Sequence, residues 1–110
     1  MQIIINKKAG VAVLSIHGHF NAAATPEFER IFNQYLDTGE RRFILDLAEL
    51  TFISSASLCS ILAAAKKIST RNGKMVVCAL HGAALKVFEI SGFAALFSIY
   101  PTEAAALKQV

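Results

Sequence analysis

Apolar positions along the chain follow two spacings, and the switches between them mark the elements. Gln2 to Asn6 and Val11 to His17 read as strands joined by the turn KKAG, a pattern suited to a hairpin. From Phe28 the spacing lengthens. Phe28, Ile31, Phe32, Tyr35 and Leu36 fall at i, i+3, i+4, i+7 and i+8, one face of a helix. Thr25 is placed to cap that helix, Pro26 suits its first position, and Gly39 stops it. Arg42 to Leu47, RFILDL, predicts a short buried strand.

A strand-like run, Thr51 to Ile53, then meets three serines, Ser54, Ser55 and Ser57. There the pattern turns helical again. The spacing predicts a second helix from about Ser55 to Arg71. It buries Leu58, Ile61, Leu62, Ala65 and Ile68, turns Lys66, Lys67 and Arg71 to water, and ends at Asn72-Gly73. Lys74 to Leu80 is the next strand, and Ala83 to Ser91 a third helix with Gly92 beyond its end. Phe97 to Tyr100 is a short last strand, and Glu103 to Lys108 a final helix capped by Thr102. The predicted order is β-β-α-β-α-β-α-β-α. An opening hairpin followed by alternating elements implies an α/β fold with a mixed, mostly parallel sheet, right-handed crossovers and about four helices. No linker, repeat or low-complexity tract divides the chain, so residues 1–110 are expected to form a single domain.

Composition narrows the class. A chain of 110 residues with 55% hydrophobic and 17% charged residues can bury a core without disulfides or metal. Its small polar surface leaves apolar area for a partner. No stretch approaches eighteen consecutive apolar residues, so no membrane insertion is expected. The start, MQIIINKKAG, puts its lysines after a very short apolar run, the reverse of a secretory signal, which favours the cytoplasm. The net charge of +3 comes from scattered pairs such as Lys7-Lys8, Arg41-Arg42 and Lys66-Lys67. No aromatic residues interleave with them, so nucleic acid is not an expected partner. Cys59 and Cys78 form no C-x-x-C and read as two small buried thiols.

Catalytic patterns are missing. There is no G-x-S-x-G and no Gly-rich phosphate loop, and the eight carboxylates are dispersed. His17 and His19, two apart at a strand end, are placed to share a side, but no further ligand pattern completes a metal site. His81 reads as a capping or surface residue. An enzyme is the weaker class of hypothesis, and no cofactor is implied.

The serine cluster carries the remaining chemistry. A helix start leaves N–H groups without partners, and one serine hydroxyl can accept from them as a cap. That accounts for one serine and does not require three. The same N–H groups and the positive helix end also suit a phosphate. A phosphoserine brings about −1.5 to −2 charges, which the fold should tolerate there but a docked partner should not.

DLAELTFISSASLCSILAAAKK, Asp46 to Lys67, resembles the signature of STAS domains, and more narrowly that of bacterial anti-sigma factor antagonists. GHFNAAATPEFE, Gly18 to Glu29, and VFEISGFAALFSIYPTEAAAL, Val87 to Leu107, are similar to further family regions, so the resemblance covers nearly the whole chain. It implies that Ser55 is the phosphorylated residue, with Ser57 as a rival acceptor. It also implies that Asn21, Ala22, Thr25, Ser54, Ala56, Ser57 and Leu58 line the partner contact. The implied function is partner switching. The unphosphorylated form binds an anti-sigma factor that is also a serine kinase and frees the sigma factor. ATP-dependent phosphorylation releases the antagonist, and a serine phosphatase resets it. The ATP belongs to the kinase. Four positions depart from the commonest family pattern: Ser54 and Asn21 stand where aspartate is usual, Ser57 where glycine is, and Cys59 where glycine or arginine is frequent. A second implied role is a subunit of a lipid-transport ATPase or signalling assembly, in which the serines are only caps.

Overall fold

The computed structural model describes residues 1–110. Strands β1 (Gln2–Lys8) and β2 (Val11–Phe20) form the expected antiparallel hairpin, with Gln2 opposite His17 and Lys8 opposite Val11. Ala9 and Gly10 turn the chain with φ of 52° and 77°, the backbone that matches the twist of the flanking strands. Alanine is costly in that region. The Arg42 guanidinium braces it by donating to Ala9 O at 2.8 Å.

Strand β2 is long because it serves two neighbours. Its first half pairs in parallel with β3 (Arg42–Asp46), Ala12 opposite Phe43. Its second half pairs in parallel with β4 (Leu50–Ile53), Phe20 opposite Ile53. The register slips between Gly18 and His19, where Gly18 takes a φ of 84°. The sequence-based order contains no separate strand at Leu50–Ile53. Four residues with only the outer two buried show no alternation, so the strand-like run there carries no period. β3 continues to β5 (Lys74–Cys78) and then to β6 (Ile99–Tyr100), giving the order β1-β2-β3-β5-β6 with β4 against β2. All pairings except the hairpin are parallel.

Four helices cover the sheet: α1 (Thr25–Asp37), α2 (Ser55–Ser69), α3 (Gly82–Ile90) and α4 (Glu103–Leu107). Alternate residues of the central strands face opposite sides. Leu14, Phe43, Leu45 and Val77 join Phe28, Phe32, Leu58, Ile61 and Phe88 in the main core. Val13, Ile44, Val76 and Cys78 meet Ala106 of α4 in a smaller one. Burial on both faces is why Phe43, Ile44 and Leu45 at the centre of RFILDL form an unbroken apolar run. Gly73 closes α2, and a Cβ there would collide with Arg41 O and the Ile68 side chain. Its neighbour Lys74 donates its N–H to Arg41 O at 2.8 Å and starts β5. No helix is long and apolar enough to cross a membrane.

Local details differ from the sequence expectations. Thr25 is the first residue of α1 and not its cap. A 3-10 turn, Ala22–Ala24, runs straight into the helix, so Ala24 is already right-handed helical and Thr25 cannot take the extended backbone of a cap. Asn21 caps that turn by accepting from Ala24 N–H at 3.1 Å, while Thr25 Oγ1 donates back to Ala22 O at 2.9 Å. A second 3-10 turn, Phe93–Leu96, precedes the last strand, which holds only Ile99–Tyr100 of the expected Phe97 to Tyr100. Thr102 does cap α4, accepting from Ala105 N–H at 3.1 Å.

Candidate functional site

The three serines have different environments. Ser54 is the N-cap of α2, with extended backbone at φ −96° and ψ 165°. Its hydroxyl accepts from Ser57 N–H at 3.1 Å. Ser57 is 0% exposed. Its hydroxyl donates to Phe20 O, at the end of β2, at 2.6 Å and lies 2.8 Å from Ser54 Oγ. A hydroxyl has one proton to give. Since Ser57 gives its proton to Phe20, Ser54 is the donor in the contact between the two hydroxyls. Ser54 N–H also donates to Phe20 O, at 3.1 Å. Phe20 O thus receives two donors, and the start of α2 is tied to the end of β2.

Ser55 is outside this network. It is the first residue of α2, exposed, with no side-chain hydrogen bond. Ala56, next to it, is also exposed. The backbone N–H groups of Ser55 and Ala56 have no protein partner, because Leu58 N–H makes the first helical bond, to Ser54 O at 3.0 Å. The surroundings carry little charge. Residues 18–26 and 50–65 contain no lysine, arginine, aspartate or glutamate. Glu27, in the first turn of α1, is paired with Arg30 at 2.7 Å. The Arg30 hydrogen bond holds its carboxyl below the usual value. A phosphoryl group on Ser55 would be the dominant local charge, beside two free donors.

Two sequence expectations are corrected here. Ser57 is neither an accessible acceptor nor a contact residue, because its hydroxyl is buried and bonded. Leu58 is 0% exposed and belongs to the main core, so it is closed to a partner. Both residues occupy the inward face of the first turn of α2. Asn21 and Ala22 are exposed on the turn that packs against α2, and Thr25 is half-buried at its end. Cys59, expected to be buried, is exposed one turn along α2 from Ser55, whereas Cys78 is buried. Burial, followed by the negative charges of Asp46 and Glu103, pushes the Cys78 thiol up to about 12.

His17 and His19 do not form a joint site. The register slip lies between them, His17 Nε2 contacts Ser15 Oγ at 3.0 Å, and the His19 ring leans on Phe52 at 5.8 Å between centroids. His81 is exposed at the start of α3, with Nε2 2.8 Å from Ala48 O and no side-chain cap. No group of three His, Cys, Asp or Glu side chains is placed to hold a metal ion.

The STAS domain family model matches residues 2–106. The chain belongs to this family. BtrV of Bordetella bronchiseptica, named as a candidate anti-sigma factor antagonist, is 36% identical to this STAS protein over 106 residues, 96% of this chain and 91% of that one. The crystal structure of an anti-sigma factor antagonist from Mycobacterium paratuberculosis has the same fold, with a TM-score of 0.90 at 23% identity, covering 99% of this chain and 92% of that one. The phosphorylated form of SpoIIAA from Bacillus matches at a TM-score of 0.77 and 16% identity, over 98% of each chain.

Sequence reasoning did not place Phe52 and His19 together beside the serine turn. Phe52 is 44% exposed, three positions before Ser55, and with His19 it forms an aromatic pair near the start of α2. The available signal was the adjacent pair Phe52-Ile53 in a strand-like run, since a strand turns successive side chains to opposite faces and only one of the two can enter the core.

Proposed function

We propose that this STAS domain is an anti-sigma factor antagonist that works by partner switching, with Ser55 as the phosphoacceptor. In its unmodified form it binds an anti-sigma factor with serine kinase activity and so frees a sigma factor in the cytoplasm. The kinase transfers the γ-phosphoryl group of ATP to Ser55 Oγ. The bond to ADP breaks, ADP leaves, and the hydroxyl proton passes to a base of the kinase. The new dianion then lies in a contact lined by Asn21, Ala22, Thr25, Ser54, Ala56, Phe52 and His19. That contact holds no cation of this chain to offset it, so desolvation and repulsion release the partner. A serine phosphatase restores the binding form.

The observation that carries this reading is the separation of the three hydroxyls. Ser54 and Ser57 are consumed by the fold, and Ser55 alone is exposed and unbonded. The relatives named as anti-sigma factor antagonists support the partner class. The test is intact mass after incubation with ATP and the anti-sigma kinase encoded with this chain. One phosphate is expected, absent in Ser55→Ala and present in Ser57→Ala, and the modified chain should leave the complex on a sizing column. No mass change together with a complex that survives ATP would replace the switch with a constitutive scaffold.

A further inference from the structure

The geometry points to Ser57 as a positioning residue for Ser55: its buried hydroxyl clamps the acceptor turn to the end of β2, so that a phosphoryl group on Ser55 changes the surface without moving α2. This inference rests on the phosphoacceptor reading above. The clamp is a closed set of bonds. Ser57 Oγ donates to Phe20 O at 2.6 Å and receives from Ser54 Oγ at 2.8 Å. Ser54 Oγ in turn receives from Ser57 N–H at 3.1 Å, and Ser54 N–H reaches Phe20 O at 3.1 Å. Phe20 is itself fixed, buried and in register with Ile53 of β4.

The load on the clamp is electrostatic. A dianion on Ser55 draws on the free N–H groups of Ser55 and Ala56, which point along the helix axis. With no lysine or arginine in residues 18–26 or 50–65, the pull falls on the backbone of this turn. Ser55 lies between the two clamp residues, Ser54 and Ser57. The bonds from Ser54 and Ser57 to a strand carbonyl resist displacement from both sides of the acceptor. A core hydroxyl kept only for packing would have no need to grip the strand that carries the neighbouring docking loop.

The experiment uses the full chain with phosphoserine installed at position 55 during translation, so no kinase is required. Backbone amide shifts are compared with and without the phosphate. In the otherwise native chain, changes are expected only from Ser54 to Leu58. In Ser57→Ala they should spread to Phe20–Ala24 and into the second turn of α2, with Ser54 and Ser57 amides exchanging about tenfold faster. A Ser57→Ala chain that merely melts lower, with the phosphate's effect still confined to Ser54–Leu58, overturns the inference, because Ser57 is then only structural. Should Ser57→Ala fail to fold, Ser57→Cys keeps the side chain's shape but replaces the hydroxyl bond to Phe20 O with a weak thiol one. Spreading there supports the clamp, and confinement overturns it. A native chain that its kinase cannot phosphorylate would refute the phosphoacceptor reading, while the installed phosphoserine still decides the clamp.

Discussion

One negative charge moved two residues along α2 should have opposite effects. In Ser55→Asp the carboxylate stands in water at the first helical position, near the unpartnered N–H groups of Ser55 and Ala56. The serine hydroxyl it replaces makes no bond, so nothing is lost. A charge so placed is worth about 0.3–1 kcal/mol. For a chain of 110 residues, 1 kcal/mol moves the melting temperature by about 4 °C. The expected rise is therefore about 1–4 °C. In Ser57→Asp the carboxylate enters a site that is 0% exposed and faces Phe20 O, which now receives one donor fewer. Two acceptors oppose each other, at about 1–3 kcal/mol, and the buried charge keeps only the Ser54 hydroxyl as a donor and has no cation, at about 3–5 kcal/mol. A combined loss of at least about 4 kcal/mol lowers the melting temperature by about 16 °C or more. Thermal unfolding followed by circular dichroism measures both. Repeating it in about 1 M salt should erase the Ser55→Asp gain and leave the Ser57→Asp loss, since only the exposed charge is screened. If Ser57→Asp melted within about 4 °C of the native chain, or Ser55→Asp fell as far as Ser57→Asp, the assigned environments of the serines would be wrong.

Three further outcomes are expected. Phe52→Ala should leave stability within about 1 kcal/mol, as the ring is half in water, yet weaken the anti-sigma partner about 30-fold by calorimetry, the effect of losing an aromatic anchor. A thiol reagent at mildly alkaline pH should label Cys59 at once and Cys78 only after denaturation, and rapid labelling of both would refute the burial of Cys78. Stability should also fall with rising pH on account of Cys78. Its folded value is pushed up to about 12, against an ordinary thiol value of 9.0 in the unfolded chain. Between those values only the unfolded chain releases the proton, so the thiol stabilises the fold below the unfolded value. That contribution is lost at about 1.4 kcal/mol per pH unit as pH climbs. Urea unfolding of the native chain and Cys78→Ala from about pH 8 to 10.5 should show that component missing in the variant.

Much of the fold was legible because it is local. The face of Phe28, Ile31, Phe32 and Leu36 is set by helical period, and all four are buried. The turn at Ala9-Gly10 is set by left-handed backbone, and the stop at Asn72-Gly73 by Asn72 at a φ of 61° and by the lack of room for a Cβ at Gly73. Where local signals compete, the reading slipped. Thr25 looks like a cap because the 3-10 turn before it leaves no mark in a run of three alanines. β4 was passed over because its partner, the far half of β2, supplies the order that its own four residues lack.

The sequence by itself determined the alternation of elements, the α/β class and the presence of hydroxyls at the start of α2, because period, capping and turn chemistry act over a few neighbouring residues. Only the tertiary structure decided which hydroxyl is free. Family resemblance points to Ser55, but period and capping alone do not tell Ser54, Ser55 and Ser57 apart. Their difference is made by Phe20, thirty-seven positions away from Ser57 in the chain, whose carbonyl reaches Ser57 and leaves Ser55 untouched. Burial and bonding are relations between distant segments, and they exist only once the sheet has brought those segments together.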